Sequence, residues 1–516
     1  MPKQPAMPII GTLIKSAIEL KNMMPVEKQK PSAITQQKKV LKKLIRKAQL
    51  TAFGEHYDFA GALKQDDLLS AFKQSVPIHD YNKMHNDWWY RTLTGEAYVS
   101  WPGRVKYFAL SSGTSEATSK YIPVTPEMLR AIKRTSIRTL VASARYDIPT
   151  DFFKRGILML GGSTHLQFNG TYYEGDLSGI TTGNIPFWFQ HFYKPGKRIS
   201  RERNWETKIE EIVRKAPEWD IGAIVGVPAW FQILLAKIIE RYNLNNIHEM
   251  WPNLSVFTHG GVSFAPYAKS FEKLLGKPMI YIETYLASEG YIAYQDDPES
   301  DSMALVLDNG LFFEFVPFND KNFDNEGNIQ TNATAYTIDE VEEGREYALL
   351  ISSVAGAWRY LIGDVVKFTN LSKAQIHIVG RTKHYLSVCG EHLSQENMNR
   401  AIEMLEHDYN ISVPEFTVAG LPHDNMFQHK WWLGTNDSID PEIAAKAIDN
   451  NLKQLNDDYR VERIAAIRKV EVEVLPLNVF YDYMASKGKI GAQVKFPRVM
   501  KKHLPDWLEF LNSLKK

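Results

Sequence analysis

Short apolar, β-rich runs at 156–160, 221–227, 254–258 and 279–283 alternate with stretches of helical period. This alternation predicts an α/β architecture. Between the second and third runs Trp230, Leu234, Ile238 and Tyr242 recur at helical spacing, which predicts a crossover helix. From 302 to 353 the pattern changes. Runs at 303–307, 311–316 and 347–352 are separated by turns such as Asp308-Asn309-Gly310, as expected for hairpins in a mostly antiparallel sheet. Beyond Gly380 come a helix with Met398, Ile402 and Leu405 on one face, strands around Phe416 and Trp432, and another helix. A strand alternating Val470, Val472 and Val474 with Glu471 and Glu473 follows, so the segment reads as a compact α+β domain.

A chain of 516 residues exceeds what one core usually serves, so at least two domains are expected. The 61 Lys plus Arg against 60 Asp plus Glu give a net charge of +1, too little to steer the protein to nucleic acid or anionic lipid. The lysines between 38 and 43 fit the solvated face of a helix whose apolar stripe is Leu41, Leu44, Ile45 and Ala48. A single cysteine, Cys389, excludes an internal disulfide and a cysteine-built metal site; a cytoplasmic protein is expected. The apolar segment at 7–18 is short, interrupted by Lys15 and without a convincing cleavage site, and reads as a helix rather than a signal peptide. No run of about 18 apolar residues occurs, so no membrane span is expected.

Seven segments carry candidate chemistry. In Ser111-Ser112-Gly113-Thr114-Ser115, hydroxyls flank a glycine that lets the backbone approach phosphate oxygens, and Lys120 adds positive charge. An ordinary hydroxyl-rich turn would look the same, and the Walker spacing is absent. Thr258-His259-Gly260-Gly261 ends a probable strand, where missing side chains would let a flat base lie against backbone; a tight strand-to-helix turn is the plainer reading. In Tyr285-Leu286-Ala287-Ser288-Glu289-Gly290, the ring could stack on a base, Ser288 could bind phosphate and Glu289 could hold magnesium, although a lone glutamate is usually a solvated group. Trp358-Arg359-Tyr360-Leu361-Ile362-Gly363-Asp364 sets one acid in an apolar stretch, where it needs a partner: a ribose diol, or an ion pair with Arg359 or another base. Gly380-Arg381-Thr382-Lys383 supplies boundary chemistry, with Lys383 as the hinge candidate. Near the C-terminus Lys487, Lys489 and Lys495 precede Pro497-Arg498, and a lysine there could reach an α-phosphate or simply be solvated. The segment at 227–231, with Val227, Trp230 and Phe231, suggests an apolar acid pocket, and a packed core explains it equally well.

The order of these segments resembles the firefly-luciferase-type adenylate-forming superfamily. The forms SSGTS with Lys120, YLASEG, WRYLIGDVV, GRTKHYLSVCGEHLS and QVKFPR look like the auxin-responsive Gretchen Hagen family of acyl-acid amido synthetases, in a bacterial-style version. The likeness covers nearly the whole chain. It implies an adenylate-forming enzyme fold, with a large N-terminal α/β adenylation domain of mixed sheets at 1–379, a hinge at 380–384 and a small mobile α+β domain at 385–516. By the same likeness Ser111, Ser112, Thr114 and Ser115 would bind ATP phosphates, with Gly113 between them. Gly260 and Gly261 would border adenine, Tyr285 pack on it, Ser288 and Glu289 serve phosphate and Mg2+, and Asp364 the ribose. Glu116 and Ala117 stand where many relatives have a glycine, and Lys489 and Lys495, with Lys120, compete for the catalytic lysine.

The implied reaction is attack of a carboxylate on the α-phosphorus of ATP, release of pyrophosphate, and capture of the acyl-adenylate by an amine such as an amino acid. The competing readings are an AMP-forming acyl-coenzyme A ligase and a catalytically silent nucleotide-binding protein. A carboxylic acid and an amine are the expected partners of a monomer, with neither nucleic acid nor membrane involved.

Overall fold

The computed structural model describes residues 31–111, 120–146, 148, 152–185, 189–261, 264, 267–324, 327–383, 385–389, 391, 393–424, 426–487, 496–500 and 503–514. The alternating runs become strands of one eleven-stranded sheet. Numbered along the chain, these are β1 Gly156–Met159, β2 Tyr193–Lys194, β3 Ile221–Gly226, β4 Val256–Gly260, β5 Ile280–Ala287, β6 Gly290–Tyr294, β7 Met303–Leu305, β8 Leu311–Pro317, β9 Glu346–Ser353, β10 Tyr360–Asn370 and β11 Gln375–Arg381. Their order across the sheet is β8-β9-β10-β11-β7-β6-β5-β4-β3-β1-β2.

The sheet is parallel at one end and antiparallel at the other. β1 pairs in parallel with β2 and β3, and β3, β4 and β5 continue in parallel. From β5 to β8 every pairing is antiparallel. Parallel neighbours need a crossover, and the stripe of Trp230 to Tyr242 supplies one, the helix Pro228–Tyr242 between β3 and β4. Antiparallel neighbours need only turns. The turn at Asp308-Asn309-Gly310, with Gly310 at φ +82°, leads from β7 into β8, but the hairpin expected across it is not made: β7 pairs with β6 and β11, while β8 lies at the sheet edge beside β9, and the antiparallel region still extends the sheet that the α/β part begins.

Four helices matter below: α1 Ala33–Ala48, α2 Pro126–Ala142, α3 Trp205–Lys215 and α4 Pro228–Tyr242. α1 buries Leu41, Leu44, Ile45 and Ala48. It also covers the edge strand β8: buried Gln37 donates to the carbonyls of Leu307 (2.7 Å) and Leu311 (3.0 Å) and accepts from the N–H of Phe313 (2.7 Å). α2 starts at Thr125, whose hydroxyl accepts from the N–H of Met128 and donates to the carbonyl of Val354 (2.7 Å), fixing the helix on the antiparallel half.

The chain divides into two compact units, Met1–Leu110 with Tyr121–Thr382, and Ser111–Lys120 with Lys383–Lys516. In the second, the hairpin Glu415–His423 and Met426–Gly434 takes Ile467–Leu475 as a parallel third strand. Consecutive tryptophans point to opposite faces: Trp432 packs with Phe480, Tyr483 and Trp507, while Trp431 stacks on Phe416. The helix Gln395–Tyr409 buries Met398, Ile402 and Leu405. Among the described residues no helix is long and apolar enough to cross a membrane. The segment at 7–18 lies outside the described residues.

Candidate functional site

In α/β sheets ligands gather at the carboxyl ends of parallel strands. There β4 ends in His259-Gly260 opposite Thr284 of β5. A Cβ on Gly260 would sit 2.3 Å from the Thr284 carbonyl oxygen, so these strands approach more closely than any side chain permits, and Gly261 follows at φ +85°. The Thr284 hydroxyl donates to the His259 carbonyl at 2.9 Å and holds the approach. The result is a strip of bare backbone bordered by Val227, whose Cγ2 lies 3.7 Å from where a Gly261 Cβ would be. Trp230 is half-buried against Trp205, ring centroids 4.9 Å apart. Phe231, expected at an acid pocket, is instead fully buried and edge-on to Phe257 at 5.5 Å, a core residue of the helix-sheet interface.

Asp364, 6 % exposed, accepts a hydrogen bond from the Tyr285 hydroxyl on Oδ2 and pairs through Oδ1 with Arg381 Nε at 2.7 Å. Of the partners considered from sequence, the ion pair is made by Arg381 and not by Arg359, whose guanidinium forks onto Glu314 (3.0 and 3.0 Å). A bulge decides this. Val365 opposes Gly380 but Val366 opposes Ile378, leaving Val379 as an extra, exposed residue of β11. Regular pairing from Val366 and Ile378 would set Val365 opposite Val379 and Asp364 opposite Gly380; with the bulge, Arg381 is Asp364's direct partner and shares its face. Tyr285, expected to lie open to a base, is buried, and its phenol is held well above the ordinary value by burial first and then by Asp364. A carboxylate offers about four acceptor positions, so with the donors among the described residues two remain for a further pair.

Ser288 and Glu289 occupy the turn between β5 and β6. Glu289 is not the solvated group its sequence context suggested: it is 7 % exposed and hydrogen-bonded to Tyr360, whose phenol stands well above its ordinary value through burial and then the Glu289 charge. Among the described residues no cluster of three or more His, Cys, Asp or Glu side chains is built to hold a metal. Ser111 closes the strand Tyr107–Ser111, and buried Lys120 opens Lys120–Val124. Ser112, Gly113, Thr114 and Ser115 lie outside the described residues, as do Lys489 and Lys495. Lys383 follows Thr382, whose N–H donates to the Gly363 carbonyl at 2.8 Å. Sequence reasoning missed Arg381 and Tyr360, which sat inside segments assigned to a hinge and to Asp364; the register shows Arg381's partner, and only the packing brings Tyr360 to Glu289.

The fold defines a class first. It matches an acyl acid amido synthetase, GH3.15 (TM-score 0.56, 16% identity, 93% of both chains), and a 2-hydroxyisobutyryl-CoA ligase in complex with 2-HIB-AMP and CoA (TM-score 0.57, 14% identity, 94% of this chain and 93% of that one). This is the adenylate-forming enzyme fold. Family models for the GH3 N-terminal domain (23–166 and 163–280), central domain (304–381) and C-terminal domain (395–503) cover most of the chain, which therefore belongs to the GH3 family. Indole-3-acetic acid-amido synthetase GH3.4 of Arabidopsis thaliana is 27% identical over 276 residues, 49% of this chain and 45% of that protein. The chain spans about half the length of such curated relatives. Jasmonoyl-L-amino acid synthetase JAR6 of Nicotiana attenuata is 21% identical over 515 residues, 86% of this chain and 87% of its own.

Proposed function

We propose that the protein is an ATP-dependent acyl-acid amido synthetase that adenylates a carboxylic acid and passes the acyl group to an amine such as an amino acid. The observation that carries this reading is the contact between Tyr285 and Asp364, 79 residues apart, which joins the strand-end strip at Gly260 and Gly261 to a buried carboxylate with spare acceptor positions. Family membership and the names of the amido synthetase relatives support it.

In this reading ATP is a substrate. Its base lies along Gly260 and Gly261 beside Tyr285, its ribose hydroxyls donate to Asp364, and its phosphates meet Ser288 and the hydroxyls of Ser111, Ser112, Thr114 and Ser115 around Gly113. A magnesium ion is usually held by one or two carboxylates plus substrate phosphates, a donor set that buried Glu289 fits without a protein-built cage. When bound, such an ion would neutralise phosphate charge. A carboxylate oxygen of the acid attacks the α-phosphorus and the bond to the pyrophosphate oxygen breaks. The amine nitrogen then attacks the acyl carbon, AMP departs and the nitrogen loses a proton. Lys120, Lys489 and Lys495 are the candidate lysines for the first step; Val227 and Trp230 flank the acid. The proposed organisation is an adenylation domain at 1–379, a hinge at 380–384 with Lys383 as pivot, and a mobile domain at 385–516, in a cytoplasmic monomer.

Exchange of labelled pyrophosphate into ATP across a broad acid panel tests the first half-reaction. At least one acid should support it, and Asp364→Ala and Glu289→Ala should each cost about 1.5–3 kcal/mol in kcat/KM. Exchange unaffected in both variants would remove the assignment. A preloaded adenylate offered amino acids and coenzyme A in parallel identifies the acceptor: discharge by the thiol alone would replace amide with thioester formation.

A further inference from the structure

The charge of Lys208 is buried and poorly satisfied. The residue sits in the middle of α3 with 4 % of its surface exposed. Its Nζ donates one hydrogen bond, 3.2 Å to the carbonyl of Gly161, and among the described residues no carboxylate oxygen lies within the 4.0 Å of an ion pair. An ammonium has three donors, and a buried cation without a counter-ion is costly unless something completes its shell. Burial depresses its pKa, and the charges of Asp176 and Glu202 oppose that shift from beyond ion-pair range.

The position of this lysine beside the sheet gives the burial a purpose. β1 is flanked by β2 on one side and β3 on the other, so the chain's progress across the sheet reverses between β1 and β3. The carboxyl ends at such a reversal are where open α/β sheets receive ligands. Gly161 and Gly162 lie just past β1, where a Cβ would meet Ser178 at 3.0 Å and the Asp176 carboxylate at 2.1 Å, and a Cβ on Gly226, the last residue of β3, would come 2.6 Å from the Leu160 carbonyl oxygen, so the chain approaches itself closely at both strand ends. Lys208 and Trp205 are three apart on α3 and share a face. Trp205 meets Trp230 on the first turn of α4, directly after Val227. The lysine therefore lies at the far end of the wall that Val227 and Trp230 begin. From β1 to β4 is two inter-strand spacings, about 10 Å.

We propose that Lys208 is a specificity residue that binds an oxygen acceptor, a carbonyl or a second carboxylate, at the end of the acyl acid remote from the activated carboxyl group. This rests on the amido synthetase reading, with the reacting carboxyl near Gly260 and Gly261 and the body of the acid along Val227 and Trp230. An acid bearing such an oxygen roughly 10 Å from its carboxyl group completes the ammonium's hydrogen bonds; a plain hydrocarbon tail leaves them unmade and takes the penalty.

The test is pyrophosphate exchange with three acids of matched length: a plain alkanoic acid, its distal keto analogue and the corresponding dicarboxylic acid. The wild type should favour one oxygenated acid over the plain one by about ten- to a hundred-fold in kcat/KM, the range for a hydrogen bond to a charged group. Which acid wins separates carbonyl from carboxylate. Lys208→Met and Lys208→Gln, made in parallel and checked for folding by circular dichroism, should collapse that preference, mainly through KM. No preference in the wild type, or a preference that survives in a folded variant, overturns the role of Lys208 and leaves the function standing. No exchange with any acid of the broad panel overturns the function itself.

Discussion

Replacing Arg359 with methionine should destabilise the first unit by about 3–5 kcal/mol, the range for removing one partner of a buried ion pair. The side chains of Arg359 and Glu314 are 8% and 1% exposed, and both guanidinium contacts to the carboxylate are 3.0 Å. The same guanidinium donates to the carbonyls of Lys73 (3.0 Å) and Val76 (2.8 Å), fastening the helix Leu68–Ser75 to β10. Methionine leaves the Glu314 carboxylate and both carbonyls without their donor, which pushes the cost toward the upper end of the range. Urea unfolding followed by tryptophan emission reads the loss, since Trp358 is the adjacent residue and fully buried. Two further variants separate charge from packing. Arg359→Lys should rescue little, because an ammonium cannot fork onto a carboxylate while reaching two carbonyls. The double change Arg359→Met with Glu314→Leu should recover most of the loss, because no buried charge is then left unpaired. A single variant costing under about 1 kcal/mol, or a double variant no better than the single, would refute this account.

Acid should weaken the first unit through its histidines. His79 and His259 are held at about 4 against an ordinary 6.5, both by burial first, with Lys83 next for His79. The unfolded chain then binds protons the folded chain does not, so stability is complete above pH 6.5 and falls as pH drops toward 4, on the order of 3 kcal/mol per histidine once both states are below their pKa. Stability curves for the wild type, His79→Gln and His259→Gln measure this, and a flat wild-type curve across that window would contradict it. In the second unit burial pushes the Glu391 carboxyl up, but the hydrogen bond and charge of His429 (2.9 Å) and the N–H of Cys389 outweigh it and hold it at about 2, below 4.5. Its contribution is present above pH 4.5 and is lost as pH falls to about 2; Glu391→Gln should abolish that acid limb in pH-dependent unfolding. Gly260→Ala would drive a methyl to 2.3 Å from the Thr284 carbonyl and should raise KM for ATP more than ten-fold in exchange assays, whereas Gly183→Ala, with nothing within 4 Å, should leave it unchanged.

Much of the architecture could be read before any fold was known, because secondary structure follows local periods of two or 3.6 residues. The crossover helix with Trp230 and Tyr242 and the turn at Asp308 to Gly310 are local patterns of this kind, as is the Met398, Ile402 and Leu405 face. The glycine pair at 260 and 261 was legible only as a backbone feature, since a ligand border and a tight turn call for the same residues; the close approach to Thr284 shows in the structure. Phe231 misled, because an aromatic ring beside a ligand and one inside a core look alike in a sequence. Lys208 gave no signal: on an amphipathic helix among Glu206, Glu210 and Glu211 it reads as one more solvated charge.

By itself the sequence determined which segments are strands and helices, and that an acid at 364 inside an apolar run must take a partner. Which partner was decided by tertiary structure alone. β5 and β10 are four strand spacings apart, about 19 Å in a flat sheet, yet the Tyr285 hydroxyl reaches Asp364 because the sheet coils. One extra residue in β11, Val379, then turns Arg381 onto the same face. Coiling and register are set by contacts between residues far apart in the chain, and no local period encodes them.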